Sequence, residues 1–313
     1  MRRSGMSVLY KKLISYFLVS IFFIVTTSTI VQASTANNAL YIVSFNVLAP
    51  SWASPSYYSP AITPYLERTH RRKLIINFLN SVSEKADIIA LQETSQSEFK
   101  YFKQALKHNF QAFQVYHDPH YWSGWTTPGL TWEPNGVALF IKKKKFSNVH
   151  FRDLPLTQDG NHSAYFEGLQ LSTGKTIRAA SIHLDSEYNY NRNLELEALI
   201  KMMTPKHSSR DIIIGDFNVG THDKKIKTTL VKNHFVDTLN YLHREVWSSP
   251  FNEGGDSNAG ITDHIVVRNT LPIDGHVINS GLWEIFPHDE NKRIIANLEI
   301  NGSDHFPLFT ILK

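Results

Sequence analysis

The chain has 313 residues, no cysteine, and 32 basic against 28 acidic side chains. Without cysteine there is neither a disulfide framework nor thiol catalysis. Four of the cations, Arg2, Arg3, Lys11 and Lys12, stand near the start; the rest of the chain carries 28 basic and 28 acidic groups, a balance that argues against a strongly electrostatic nucleic-acid binder.

Residues 1–33 read as a targeting segment: a basic stretch, an uncharged run over 13–31, and Val31-Gln32-Ala33 as a small-residue cleavage site before Ser34. The uncharged run also has the length of a single membrane anchor. A cleaved leader and a retained anchor both stay open, and either implies export to the periplasm or the medium. Residues 34–313 contain no repeat and no linker and are expected to form one domain.

Along that domain, residues 40–48 form an apolar strand carrying Asn46, followed by a Pro- and aromatic-rich loop over 49–66. The spacing of Leu74, Ile75, Phe78, Leu79 and Val82 predicts a helix over 71–82. A strand over 87–92 ends at Glu93, and 97–108 reads as a helix. Residues 116–135 form a long loop broken by Pro119, Gly124, Pro128, Gly129 and Pro134. A strand over 136–141 is ended by Lys142 to Lys145, a solvated strand end or else a run that attracts anionic lipid or nucleic acid. Residues 165–171 and 176–184 form a hairpin around Thr173-Gly174. A helix over 194–203, strands over 212–217 and 265–267, and the segments 294–300 and 307–312 complete the chain. Strands outnumber helices, and hairpins mix with strand–helix–strand units, which predicts an α+β layered sandwich.

Polar groups cluster at the ends of these apolar runs. Gln92-Glu93 follows Ile89-Ala90-Leu91, Asp216 and Asn218 follow Ile213-Ile214-Gly215, and Asp304-His305 precedes Phe306. Strand ends that each deliver a carboxylate suggest one shared polar site. Converging carboxylates suit a hard divalent cation, and such cations handle phosphate. Asp216 and Asn218, two apart, would share one face of a strand; an Asx turn explains them as well.

Six segments resemble, in order, the endonuclease/exonuclease/phosphatase superfamily of metal-dependent phosphoesterases: Ser44-Phe45-Asn46-Val47-Leu48, Leu91-Gln92-Glu93, Ser181-Ile182-His183-Leu184, Gly215-Asp216-Phe217-Asn218, Thr262-Asp263-His264-Ile265 and Ser303-Asp304-His305. The resemblance spans about residues 40–312 and implies a single-domain, four-layer α/β/β/α sandwich. It implies Mg²⁺ or Mn²⁺ at Glu93, with Asn46 and Asp304 helping to hold it. It pairs His305 with Asp263, lets Asp216 orient the attacking water, and sets Asn218 and His183 on phosphate oxygens. Asp263 rather than the adjacent His264 takes the acid position. Whether His305 acts as a cation or as a neutral base stays open. Asn135, in Asn135-Gly136, resembles a position near the phosphate, although an Asn-Gly turn accounts for it equally. The implied reaction is hydrolysis of a phosphate ester by in-line attack of water, without a covalent intermediate.

The opening Phe45-Asn46-Val47-Leu48-Ala49, with Tyr57, Tyr58 and Tyr65 and then Arg68, Arg71 and Arg72, is most similar to the deadenylase and nocturnin branch. The loop over 116–135 holds Trp122, Trp125 and Trp132. Trp122 and Trp125, with Asn135, are the candidate substrate contacts. Such aromatics stack on bases in a nuclease, or seat in a membrane interface in a lipid phosphodiesterase or phosphatase of sphingomyelinase or phosphoinositide type, or pack on their own loop. A binding protein that has lost its chemistry is the reading of another class; the presence of all eight matching polar residues speaks against it. The chain is expected to act as a monomer on nucleic acid or phospholipid.

Overall fold

The computed structural model describes residues 38–117, 133–157, 160–204, 208–220, 223–244, 247–249, 260–286 and 289–313. The chain divides into residues 1–39, of which only Asn38 and Ala39 are described, and a second unit, Leu40–Lys313, which the following account concerns. The targeting segment, Trp122 and Trp125 lie outside the described residues. Among the described residues no helix is long and apolar enough to cross a membrane.

Two six-stranded sheets make the centre. The first contains β1 (Leu40–Asn46), β2 (Ile88–Ser95), β3 (Phe110–Tyr116), β4 (Asn135–Lys142), β11 (Pro272–Val277) and β12 (Leu308–Leu312), in the order β11-β12-β1-β2-β4-β3. The second contains β5 (Phe146–Pro155), β6 (His162–Gln170), β7 (Thr176–His183), β8 (Ser209–Asp216), β9 (Val236–Asp237) and β10 (Asp263–Arg268), in the order β5-β6-β7-β8-β10-β9. Each sheet holds one parallel pair, β1 with β2 and β7 with β8. All other neighbours are antiparallel, including the β6–β7 hairpin.

Both faces of the central strands are apolar because both are covered. Leu40 and Ile42 of β1, Ile88 and Ala90 of β2, Ile177 and Ala179 of β7, and Ile212 and Ile214 of β8 share the core between the sheets. The alternate residues point outward. Val43, Phe45, Ile89 and Leu91 meet Ile75 and Leu79 of α1 (Arg68–Ser83) and Phe102 and Leu106 of α2 (Gln96–Leu106). Ala180, Ile182 and Ile213 meet Leu196 and Leu199 of α3 (Asn189–Met202) and Ile226 and Leu230 of α4 (Lys224–Lys232). The result is the four-layer α/β/β/α sandwich. Short helices α5 (Thr238–Tyr241) and α6 (Leu282–Ile285) follow, then α7 (Glu290–Asn301).

Local chemistry sets the helix starts. The Glu67 carboxylate accepts from the Thr69 and His70 amides at 2.8 and 2.6 Å, so α1 begins three residues before the apolar spacing suggested. Ser95 caps α2 by accepting from the Glu98 amide at 3.4 Å. Helix α7 stops at Gly302, whose φ of +77° suits glycine.

One glycine bears directly on the site. Gly215, just before Asp216, has φ +149°, and a Cβ there would lie 2.0 Å from the Ile182 carbonyl oxygen on β7. Gly215→Ala is expected to cost about 2–4 kcal/mol, the range of severe single substitutions. Urea unfolding with an unchanged slope checks it; a wild-type midpoint would contradict this close approach.

Candidate active site

Strand register brings the polar groups together. The carboxyl ends of the two parallel pairs face each other across the sandwich. Asn46 stands opposite Gln92 on β1 and β2, and His183 opposite Asp216 on β7 and β8. Antiparallel pairing of β8 with β10 sets Asp263 opposite Asp216. The turn Ser303–His305 enters β12 beside β1.

Glu93 reaches this site by breaking the alternation. A regular β2 would send it, like Ile89 and Leu91, to the helix face. Instead two residues, Gln92 and Glu93, stand against the single Val137, since Leu91 pairs with Ala138 and Thr94 with Gly136. Glu93 takes φ +56° in this bulge. A non-glycine residue in that region costs about 1–3 kcal/mol and is typical of functional sites. Its Oε1 accepts from Asn46 Nδ2 at 2.9 Å and its Oε2 from the Ala49 amide at 2.8 Å. Asn46 Nδ2 also donates to Asp216 Oδ2 at 3.0 Å, while its Oδ1 accepts from the Leu48 amide at 3.0 Å. Asn46 thus offers its amide nitrogen to the centre and ties the two sheets together there.

His305 and Asp263 form a buried pair, with Nδ1 2.8 Å from Asp263 Oδ2. The other nitrogen, Nε2, lies 3.8 Å from Asp216 Oδ2. Burial opposes protonation of His305, but Asp263, by charge and hydrogen bond, and Asp216 outweigh it and hold the ring well above its ordinary pKa. Burial pushes Asp263 up, while the imidazolium opposes that rise. Both shifts run upward, so the pair holds a proton between Asp263 Oδ2 and His305 Nδ1. The Asp263 amide donates to Ser248 Oγ at 2.9 Å, and Asp263 Oδ1 is buried without a partner.

His264 points to the opposite face of β10. Its Nδ1 lies 2.8 Å from Asp237 Oδ2, and Nε2 meets the carbonyls of Ile261 and Val219 at 3.0 and 3.1 Å. Burial lowers its pKa, but the Asp237 bond and charge overcome this and raise it above 6.5. A raised folded-state value means that the stabilisation is full below the unfolded value of about 6.5 and is lost as pH climbs through the folded one. His264→Ala is expected to cost about 3 kcal/mol at pH 6, with a smaller gap from wild type at pH 9. Urea unfolding at both values checks it; a gap that widens with pH would contradict a charged His264.

Asn218 lies beyond the strand, so the alternation argument does not reach it: β8 ends at Asp216 and Asn218 has φ +52°. Its amide donates to Asp216 Oδ1 at 2.8 Å and its Nδ2 to the Leu184 carbonyl at 2.8 Å. This Asx turn fixes Asp216 and ties the ends of β7 and β8. His183 Nε2 stands 3.9 Å from Asp216 Oδ2. Asn135 opens β4 opposite Ser95, and its carbonyl accepts from the His117 amide at 3.1 Å. Asn135-Gly136 is therefore strand and not turn. The glycine is required because a Cβ at 136 would lie 2.1 Å from the Val115 carbonyl oxygen.

Several supporting residues carried no assigned role in the sequence. Tyr58 donates to Asp304 Oδ2 at 2.7 Å. The buried Arg71 guanidinium donates to the carbonyls of Leu48, Val47 and Gly302 at 3.0, 3.2 and 3.3 Å. Ser303 Oγ donates to the Asn46 carbonyl at 2.7 Å. Tyr58 and Arg71 belong to the Tyr- and Arg-bearing stretch that signals the deadenylase-like opening, and Ser303 opens the Ser303-Asp304-His305 segment, though without a role of its own; Ser248 has no signal, because any serine can supply such a hydroxyl.

A family model described as the Endonuclease/Exonuclease/phosphatase family matches residues 43–305. The chain belongs to that family. Members of the Endonuclease/Exonuclease/phosphatase family are phosphoric ester hydrolases, and this protein is an enzyme of that class. It is 31% identical over 128 residues to the CCR4-Not complex 3'-5'-exoribonuclease subunit Ccr4 of Neosartorya fischeri, covering 39% of this chain and 16% of the relative. The chain thus spans about a sixth of the length of the curated relatives it matches. Among solved structures, an endonuclease/exonuclease/phosphatase from Bacteroides vulgatus superposes with TM-score 0.65 at 16% identity, over 88% of this chain and 98% of the other. The human Nocturnin catalytic domain with bound sulfate superposes with TM-score 0.61 at 16% identity, over 88% and 93%. Both share the fold.

Enzymes of this family generally use divalent metals, and the site fits one. Glu93, Asp216, Asp263 and Asp304 are all buried, against Arg71 and the His305 imidazolium. Four carboxylates facing two buried cations leave negative charge that a divalent ion would offset. Burial pushes Glu93 up and Asp304 pushes it further, while His183 opposes them. Asp216, Asp263 and His305 have potential donor atoms within 4.8 Å of one another. In that trio His305 Nδ1 and Asp263 Oδ2 are already engaged with each other at 2.8 Å. The oxygens of Glu93 and Asp304 remain the fitting ligands for a hard ion.

Proposed function

We propose that the protein is a divalent-metal-dependent phosphodiesterase acting on single-stranded nucleic acid, with Mg²⁺ or Mn²⁺ as the ion. The observation that carries this reading is the meeting of Glu93, Asp216 and Asp304 with the Asp263–His305 pair at the shared ends of two parallel strand pairs. When bound by Glu93 and Asp304, the cation would polarise the phosphoryl group and neutralise the leaving oxygen. Asn46 holds Glu93 and Asp216 in register, and Asn218 fixes Asp216 so that one carboxylate oxygen orients the attacking water. His305, kept cationic by Asp263, stabilises negative charge growing on the phosphoryl oxygens. His183 approaches from the β7 side.

The choice of nucleic acid is supported by the exoribonuclease relatives and by the rim of the site. Helices α3 and α4 follow the strand ends that carry His183 and Asp216. Tyr188 and Tyr190 are exposed there, at 57% and 64%, and Lys225 Nζ lies 6.0 Å from the Tyr190 ring centroid. Lys224 and Lys227 are exposed on the same helix. Aromatic faces beside lysines suit stacked bases and a tracked phosphate backbone. The reading includes export, on the strength of the basic and uncharged stretches in residues 1–33.

The test is a substrate panel in Mg²⁺. The protein is expected to cleave a single-stranded oligoribonucleotide and to leave sphingomyelin and phosphoinositide vesicles intact. Cleavage of lipid alone would overturn the substrate assignment.

A further inference from the structure

His117 closes the β3 edge of the site and has no part in the chemistry above. His117 is 4% exposed, and its ring packs against His183, with centroids 5.9 Å apart at 60°. The backbone amide of His162 donates to His117 Nδ1 at 3.2 Å. A backbone N–H can only donate, so Nδ1 is the bare nitrogen and the ring proton sits on Nε2. Burial, His183 and His162 all oppose a second proton, and the ring stays neutral. Nε2 is buried and has no hydrogen-bond partner. An N–H kept from water without an acceptor is destabilising, and such orphans call for an explanation. Here the orphan stands on the far side of the ring from His162, on a ring that packs against His183, whose own Nε2 is 3.9 Å from Asp216.

We propose that His117 is a substrate-binding residue whose Nε2–H donates to an oxygen of the bound phosphoryl group, beside His183. The inference rests on the phosphoester reading above. It assigns the ligand as an anionic phosphoryl oxygen, which supplies the missing acceptor and forms a charge-assisted bond. A neutral donor of this kind leaves the proton balance around His305 unchanged, so its loss should appear in substrate affinity rather than in the chemical step.

Two substitutions separate this role from a packing role. Asparagine sets its Oδ1 near the imidazole Nδ1, so His117→Asn can keep the bond from the His162 amide while deleting the outer donor. Glutamine reaches further, so His117→Gln keeps an N–H near the Nε2 position. The probe is bis-p-nitrophenyl phosphate in Mg²⁺, with kcat, KM and thermal midpoint measured for wild type and both variants. His117→Asn is expected to raise KM about 10-fold or more, with kcat within about 3-fold and no lower midpoint; His117→Gln should keep KM within about 3-fold of wild type. A wild-type KM in His117→Asn, equal losses in both variants, or a KM rise matched by a fallen midpoint would each overturn the assignment. Wild-type turnover is read separately: its absence on every phosphate ester would remove the phosphoester reading, and this inference with it.

Discussion

His305→Ala is expected to lower turnover about 10³-fold while the chain stays folded by circular dichroism. The imidazolium sits between Asp263 at 2.8 Å and Asp216 at 3.8 Å, in a buried site where a fixed charge acts strongly on a developing one. Removing a positioned donor of this kind typically costs about 10²–10³-fold. The pH profile gives a sharper test. Because His305 titrates well above 6.5, activity that needs the cation should hold through neutrality and fall only on the alkaline side. Asp263 is the leading group that raises it, so Asp263→Asn should move that alkaline fall to lower pH. An alkaline limb that stays in place in Asp263→Asn, or an active and folded His305→Ala, would contradict the cationic role.

Glu93→Gln is expected to raise the Mg²⁺ concentration needed for half-maximal activity at least about 10–100-fold, the cost usual for losing even an outer partner of a metal ligand. At saturating Mg²⁺ the KM for substrate should stay near wild type. Glutamine keeps the shape of the side chain and can still accept from the Ala49 amide, but its NH₂ then faces the Asn46 Nδ2 donor, so that bond is lost together with the negative charge facing Asp304. The strained φ of +56° remains, and with it most of the local geometry. An unchanged Mg²⁺ titration would show that Glu93 does not hold the ion.

The strands that sequence periodicity missed are β3, β5, β9 and β11, and these are the four edges of the two sheets. A central strand is covered on both faces and flanked on both sides, so it reads as an unbroken apolar run such as Ile212-Ile213-Ile214. An edge strand has one neighbour, and β5 shows the consequence: exposed and half-buried residues alternate along Phe146–Pro155. Its mixed composition gives no run to find. Helix α4 was hidden by its lysines, since only Ile226, Thr229 and Leu230 of its nine residues are buried.

The site was legible where chemistry is local and hidden where it depends on shape. Asp304-His305 and Gly215-Asp216 end or precede apolar runs, and register alone brings them together. The β2 bulge that turns Glu93 away from the helix face is not encoded in any spacing of its neighbours. Nor is the tautomer of His117, which depends on a backbone amide 45 residues away. Asn218 was legible as a polar group, but its two bonds, to Asp216 and Leu184, come from a turn that begins where the strand period stops.

The most direct measurement is turnover of bis-p-nitrophenyl phosphate by the purified protein in Mg²⁺, after EDTA, and after Mg²⁺ is restored, beside Asp216→Asn. The predicted result is turnover in Mg²⁺, none in EDTA, recovery on re-addition, and a deeply impaired variant. Turnover that survives EDTA, or Asp216→Asn at the wild-type rate, would contradict a metal-dependent centre built on these strand ends.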